Sequence, residues 1–336
     1  MGKAGEVSPA SGWSPWRPLA GIPPQSAGVL AETLNGGQAF RWSPLRTEVT
    51  TAVADNAIWL GVWGDHVVRL RLDAQQQLAW SAPAALAPTT APALAAYLGA
   101  ALDFGALTDA LPWRSDPHLA RCIDAFRGLR ILRQPFGETL LGFLCSATKQ
   151  IVQIKQMIAL LAERHGAEIC RAGSPDPAGL VSRATPAAGS GDPALQRQTF
   201  HRLPTWPELA EIPEAELRAC LLGFRARYIA ETARFLAAHP GWLEETEAAP
   251  YAIAKERLCA LPGVGEKVAD CVLLFGAGRL EAFPVDVWIL KTLARRYGLD
   301  GWRPAQLAQF GRAHFGPLAG FAQQYLFAWE RREAKR

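Results

Sequence analysis

Cysteine is sparse and scattered in this chain of 336 residues, and methionine occurs only twice. The six cysteines, Cys122, Cys145, Cys170, Cys220, Cys259 and Cys271, form no C-x-x-C pair, and none follows Cys271. That spacing argues against a zinc knuckle and against an iron-sulfur cluster held near the C-terminus. No metal and no cofactor is expected, and the thiols read as small buried hydrophobes of a reducing compartment. No stretch offers 18 unbroken apolar residues, so no membrane-spanning helix is expected. The opening "MGKAGEVSPASGWSPW" lacks an apolar core of signal-peptide length, and Glu6 stands where a myristoylation motif needs Ser or Thr. No internal repeat of 20 to 50 residues is visible either.

What is present is ample core material. An apolar content of 49% against 20% charged suits one large domain or two ordinary ones. The net charge of +4 suits an anionic partner, but is also common in proteins without one. After a Pro/Gly/Ser-rich, flexible start (residues 1–18), residues 38–80 read as a strand meander with turn signals at Asp55-Asn56 and Gly64-Asp65. In "HVVRLRL", Val68, Leu70 and Leu72 alternate with Arg69 and Arg71, the period of a strand with one wet face. From about Pro92 the pattern turns helical, with Leu140, Leu144, Ile151, Ile154, Ile158 and Leu161 at spacings of 3, 4 and 7. Residues 172–197, rich in Pro, Gly, Ser and Ala, read as a surface insertion. The expected class is α+β: a small N-terminal antiparallel sheet domain (19–118) packed on a mostly α-helical domain (119–336).

One stretch carries the chemistry, "LPGVGEKVADCVLLFGAGRLEAFPVDV" (residues 261–287). Pro262-Gly263-Val264-Gly265 breaks one helix and opens another, whose apolar face is Val268, Val272 and Phe275. A glycine turn feeding a helix N-terminus presents backbone N–H groups to a phosphate, although an isolated "PGVG" is more often a plain helix corner. Lys267 has a bland reading as a solvated lysine paired with Asp270 at i+3. Asp286, after Pro284, has one as a helix N-cap.

This stretch resembles the helix-hairpin-helix and Gly/Pro-Asp signature of the base-excision DNA glycosylase superfamily, and within it the 8-oxoguanine DNA glycosylase/lyases. The similarity also takes in "GGQAFRW" from Gly36, "RGLRILRQPFGETLLGFLCS" from Arg127, "LGFRARYIAETAR" from Leu222 and "FGPLAGFAQQYLF" from Phe315. The resemblance implies a helix-hairpin-helix glycosylase domain in two parts with the active site in the cleft between them. Its partner is double-stranded DNA containing a damaged purine, and the enzyme is an intracellular, soluble monomer of cytoplasm, nucleoid or nucleus.

An enzyme acting on one base of a duplex must flip it out, so it needs a phosphate grip, a wedge and a base pocket. Breaking the N-glycosidic bond develops positive charge on the sugar, which a carboxylate stabilises, and an unprotonated lysine amine can attack the sugar carbon to form a Schiff base. The resemblance gives these catalytic roles to Asp286 and Lys267. It implies that Cys271 and Phe327 line the two sides of the base pocket, that Gln323 reads the pairing edge, and that the Gly37 carbonyl accepts the N–H distinguishing 8-oxoguanine from guanine. Gly263 and Gly265 become the phosphate grip, Phe224 the aromatic wedge and Arg225 a reader of the opposite base. The chain departs from the pattern where Thr148 replaces an asparagine, Gln153 an arginine and Trp288 a histidine, so weak opposite-base selectivity is expected. A monofunctional alkylpurine (3-methyladenine type) glycosylase shares the hairpin and aspartate but needs no lysine. A non-catalytic helix-hairpin-helix DNA-binding protein needs neither.

Overall fold

Short apolar, tryptophan-rich segments set up the sheet, and the longer apolar periodicities after it set up the helices. The computed structural model describes residues 12–45, 57–172 and 198–334. Five strands, β1 (Arg17–Pro18), β2 (Trp42–Leu45), β3 (Ile58–Trp63), β4 (His66–Leu72) and β5 (Leu78–Ser81), form an antiparallel sheet in the order β1-β5-β4-β3-β2. Gly64-Asp65 make the β3–β4 turn, with Trp63 opposite His66. The Asp55-Asn56 turn signal lies outside the described residues.

The helices are α1 (Ala27–Asn35), α2 (Ala87–Tyr97), α3 (Phe104–Asp109), α4 (Pro117–Ala125), α5 (Phe136–Leu144), α6 (Ile151–His165), α7 (Trp206–Glu211), α8 (Glu214–Leu217), α9 (Arg225–Ala238), α10 (Trp242–Ala248), α11 (Tyr251–Cys259), α12 (Glu266–Phe275), α13 (Val287–Tyr297), α14 (Pro304–Phe315) and α15 (Ala319–Glu333). One core lies under the sheet, where Trp42 stacks on Trp63 at 5.9 Å and donates its indole N–H to the Tyr97 hydroxyl at 3.1 Å. It draws on residues up to Leu98, together with Leu132. Phe104 and Leu111 already belong to the larger helical core, which α1 enters through Val29.

The structure departs from the sequence reading at several places. The outer face of β4 is not wet: Val67 is fully buried in a cluster with Phe200, and the Arg69 guanidinium lies 4.1 Å from the Trp13 ring. Trp16 covers Arg71 in the same way at 4.3 Å, so order reaches into the segment read as a flexible start. The apolar periodicity through residues 140–161 is two helices, because Thr148 between α5 and α6 has a left-handed φ of +55° that a helix cannot contain. Beyond α6 the chain is not purely helical: β6 (Glu168–Ala172) and β7 (Gln198–His201) pair antiparallel at the edges of the expected insertion. Ala172 belongs to β6, and residues 173–197 lie outside the described residues.

All six cysteines are free, and four are buried. No helix among the described residues is long and apolar enough to cross a membrane.

Candidate active site

The α11–α12 hairpin builds the centre of the site. Gly263 turns the chain at φ +77°, and a Cβ there would lie 2.5 Å from the Tyr228 ring of α9. Gly265 differs: it is the N-cap of α12, and a Cβ on it would meet nothing within 4 Å. Gly263→Ala should therefore lower the melting temperature, through left-handed strain of about 1 kcal/mol plus displacement of Tyr228. Gly265→Ala should leave melting unchanged and weaken DNA binding only, measured by thermal unfolding and fluorescence anisotropy.

The bland reading of Lys267 does not survive. Asp270 is buried and bonded elsewhere, with one oxygen accepting from the Tyr251 hydroxyl at 2.6 Å and the other from Lys255 Nζ at 3.1 Å. Lys267, half-buried in the first turn of α12, instead reaches Ser146 Oγ at 3.5 Å and lies 5.3 Å from the centre of the Phe143 ring. Phe143 is set by stacking on Phe275, which locks α5 to α12. Ser146 donates its own hydroxyl hydrogen to the Phe143 carbonyl at 2.7 Å, so toward Lys267 it can only accept. The Ser146 hydroxyl therefore makes no hydrogen bond to a lone pair on that nitrogen.

Asp286 is the N-cap of α13, its Oδ1 accepting the Ile289 N–H at 2.9 Å. Burial pushes its carboxyl above the usual carboxylate range, opposed by the Ile289 N–H and by the nearby Lys267 charge. Cap and charged group therefore coexist in one side chain. Cys271, one turn beyond Lys267, is buried and feels both Lys267 and Asp286, yet burial pushes its thiol up to about 12. A thiol held neutral offers no thiolate beside the Lys267 amine.

The expected pocket residues arrive from two further elements. Gln323 of α15 is buried and donates to the Pro284 carbonyl at 3.1 Å, tying that helix to the strand of chain that carries Asp286. One turn on, Phe327 meets Gly37: a Cβ at Gly37 would lie 3.7 Å from the Phe327 ring and 3.2 Å from Ile151. The structure thus groups Lys267, Asp286 and Cys271, links Gln323 to the Asp286 loop, and sets Gly37 on Phe327.

A second group lies at the start of α9. Phe224 is 52% exposed, and so is Leu221, held at a left-handed φ of +64°. Arg225 is buried, donating to Thr148 Oγ1 at 3.0 Å, to the Leu222 carbonyl at 3.2 Å and to the Ala147 carbonyl. Gln153 is turned away, its Oε1 accepting the Gln150 N–H at 3.1 Å to cap α6. Sequence reasoning missed Leu221, because "LLGF" gives no sign of which leucine projects. It also missed Ser146 and Phe143, although both sit inside a block it had singled out.

Known proteins resemble this chain along most of its length. Residues 23–140 match the model of the 8-oxoguanine DNA glycosylase N-terminal domain, and residues 189–313 match that of the HhH-GPD superfamily base excision DNA repair proteins. The N-glycosylase/DNA lyase OGG1 of Arabidopsis thaliana is 30% identical over 90% of this chain and 77% of its own length. The chain belongs to the 8-oxoguanine DNA glycosylase family. Another relative, a probable N-glycosylase/DNA lyase of Methanothermobacter thermautotrophicus, is 32% identical over 67% of this chain and 71% of its own length. Among solved members, the Clostridium acetobutylicum 8-oxoguanine glycosylase/lyase, in complex with double-stranded DNA containing cytosine opposite 8-oxoguanine, superposes with a TM-score of 0.74 at 27% identity. That match covers 91% of this chain and 92% of the other. The α+β architecture of the family, an antiparallel sheet beside a helix-hairpin-helix domain, is the one described above.

Proposed function

We propose that this glycosylase excises 8-oxoguanine from duplex DNA and then cleaves the strand as a lyase, with Lys267 as the nucleophile and Asp286 as the carboxylate facing the sugar. Base-excision repair by combined glycosylase and AP lyase activity is what the family membership and the named relatives support. The observation that carries the residue assignment is the engagement of Asp270 by Tyr251 and Lys255, which leaves the Lys267 amine at Ser146 beside Asp286.

The steps follow from that geometry. Flipping the nucleotide puts its base between Cys271 and Phe327, with Gln323 at the pairing edge and the Gly37 carbonyl opposite N7. As the glycosidic bond lengthens, Asp286 stabilises the positive charge growing on the sugar. The Lys267 amine bonds to C1′ as the base departs; loss of its protons and opening of the C1′–O4′ bond, with O4′ protonated, give an imine, and removal of a C2′ proton then expels the 3′ phosphate. Gly263 and Gly265 grip the backbone, while Phe224 and Leu221 fill the vacated stack. The enzyme works on DNA as an intracellular monomer. The alkylpurine alternative gives Lys267 no task, and a purely DNA-binding role gives none to either Lys267 or Asp286. The test is to supply duplexes with different single lesions and score free base and strand cleavage separately. Release of 8-oxoguanine with strand cleavage is expected, and release of 3-methyladenine alone would favour the alternative.

Opposite-base selectivity should be weak. Of the groups expected at the orphaned base, Thr148 is short and bonded to Arg225, and Gln153 is committed to its helix cap. A preference for cytosine rests on buried donors left unpaired by other bases, and here few such donors remain. Arg225→Ala should flatten the remaining preference by about tenfold, the loss of one charge-assisted hydrogen bond. The measurement is kcat/KM on 8-oxoguanine opposite each of the four bases, and an unchanged cytosine preference in Arg225→Ala would contradict it.

A further inference from the structure

The segment that carries Gly37 runs from the end of α1 to the start of β2, and it is tied down at both ends and on either side of Gly37. Lys155 of α6 donates from Nζ both to Asn35 Oδ1 and to the Trp42 carbonyl, the two ends of the segment. Arg331 of α15 donates to the Gly36 carbonyl and pairs with Glu32 of α1 at 2.8 Å, its guanidinium 5.3 Å from the Phe327 ring. The Gln38 side chain bridges the Arg130 carbonyl at 2.9 Å and the Leu132 N–H at 3.0 Å, and its own carbonyl accepts from Gln134 at 2.7 Å. Among the described residues, Gly37 thus sits between two carbonyls already taken by protein donors, and against Ile151 and Phe327.

The two cations stand in register with those contacts. Lys155 lies one helical turn beyond Ile151, and Arg331 one turn beyond Phe327, so the helices that touch Gly37 also hold its neighbours. Burying an amine is costly, and burial pushes that of Lys155 down to about 8. An apolar residue would avoid that cost, but would leave Asn35 and the Trp42 carbonyl without their donor.

We propose that Lys155 and Arg331 are positioning residues that immobilise the Gly37 carbonyl and thereby set the discrimination between 8-oxoguanine and guanine. This rests on the reading of Gly37 given above. 8-Oxoguanine presents an N7–H to a carbonyl, whereas guanine presents an N7 lone pair. A fixed carbonyl rewards the first and repels the second, while a mobile one can retreat and tolerate both.

The test uses duplexes carrying 8-oxoguanine or 8-bromoguanine, which keeps a substituent at C8 but an N7 lone pair. Single-turnover release rates are compared for the native chain, Lys155→Met, Arg331→Met and Arg331→Lys. The 8-oxoguanine to 8-bromoguanine ratio should fall about tenfold or more in each methionine variant and recover in Arg331→Lys. Borohydride trapping on an abasic duplex, which needs no base in the pocket, should stay within about twofold of native, as expected for an effect confined to base reading. A high native ratio that both methionine variants leave intact would overturn the clamp alone. Equal loss of abasic-site trapping and 8-oxoguanine release would reduce both residues to structural supports. A native ratio near one would overturn the Gly37 reading and the clamp together. Lys155 and Arg331 act from different helices, so a folding failure of one variant leaves the other decisive.

Discussion

Lys267→Ala should yield no covalent protein–DNA adduct when borohydride is added during reaction with 8-oxoguanine duplex, while binding that duplex nearly as tightly as the native chain. A Schiff base is reducible, and only an amine can form one. Several neighbouring groups are engaged or held neutral. Lys255 is held by Asp270 at 3.1 Å, Lys155 is bound to Asn35 and Trp42, and the Cys271 thiol is pushed up to about 12 by burial. Lys267 alone of these reaches toward Ser146 and the Phe143 ring beside Asp286. Release of 8-oxoguanine should fall to background in the same variant, measured by gel under single-turnover conditions. Trapping that persists would transfer the role to another amine.

Asp286→Asn should slow single-turnover release by about 100- to 1,000-fold, the usual loss when one group that stabilises developing charge is removed. Lesion-DNA affinity should change little, because the charge acts in the transition state. The substitution is clean for a structural reason. Asparagine caps a helix as well as aspartate does, so the bond from the Ile289 N–H survives and only the charge is lost. Asp286→Ala would remove the cap as well and cost about 1 kcal/mol of stability. The pH profile gives a further check. Burial raises the Asp286 carboxyl, so the active carboxylate is present above that raised value and lost as pH falls through it. The acid limb of the rate should therefore lie above the pKa of about 3.9 of an exposed aspartate, and it should vanish in Asp286→Asn. Equal losses of binding and rate would make Asp286 a cap and nothing more.

Much of this was legible in the sequence because it depends on local chemistry. The "PGVG" turn, the strand over residues 66–72 and the Gly64-Asp65 hairpin are short-range signals, and each appears where its residues place it. What escaped depends on distant packing. Nothing near Arg69 announces that Trp13 will cover it, so β4 read as half-wet. The break between α5 and α6 hides inside an unbroken apolar rhythm, because one left-handed residue, Thr148, leaves no periodic trace. The partners of Lys267 come from α5 and the turn after it, and those of Asp270 from α11. The i+3 pairing with Asp270 that a lone helix lysine suggests is therefore not formed. Nothing near Lys155 and Arg331 in the sequence marks them, because their partners Asn35 and Gly36 lie far along the chain.

The most direct test of the account is to locate the covalent bond itself. Native enzyme is reduced with borohydride on 8-oxoguanine duplex, digested with protease and nuclease, and the nucleotide-bearing peptide is sequenced by mass spectrometry. The account predicts the modification on Lys267, within "GVGEKVADC". A modified Lys255, Lys155 or N-terminal amine would contradict it, and so would efficient 8-oxoguanine release with no adduct at all.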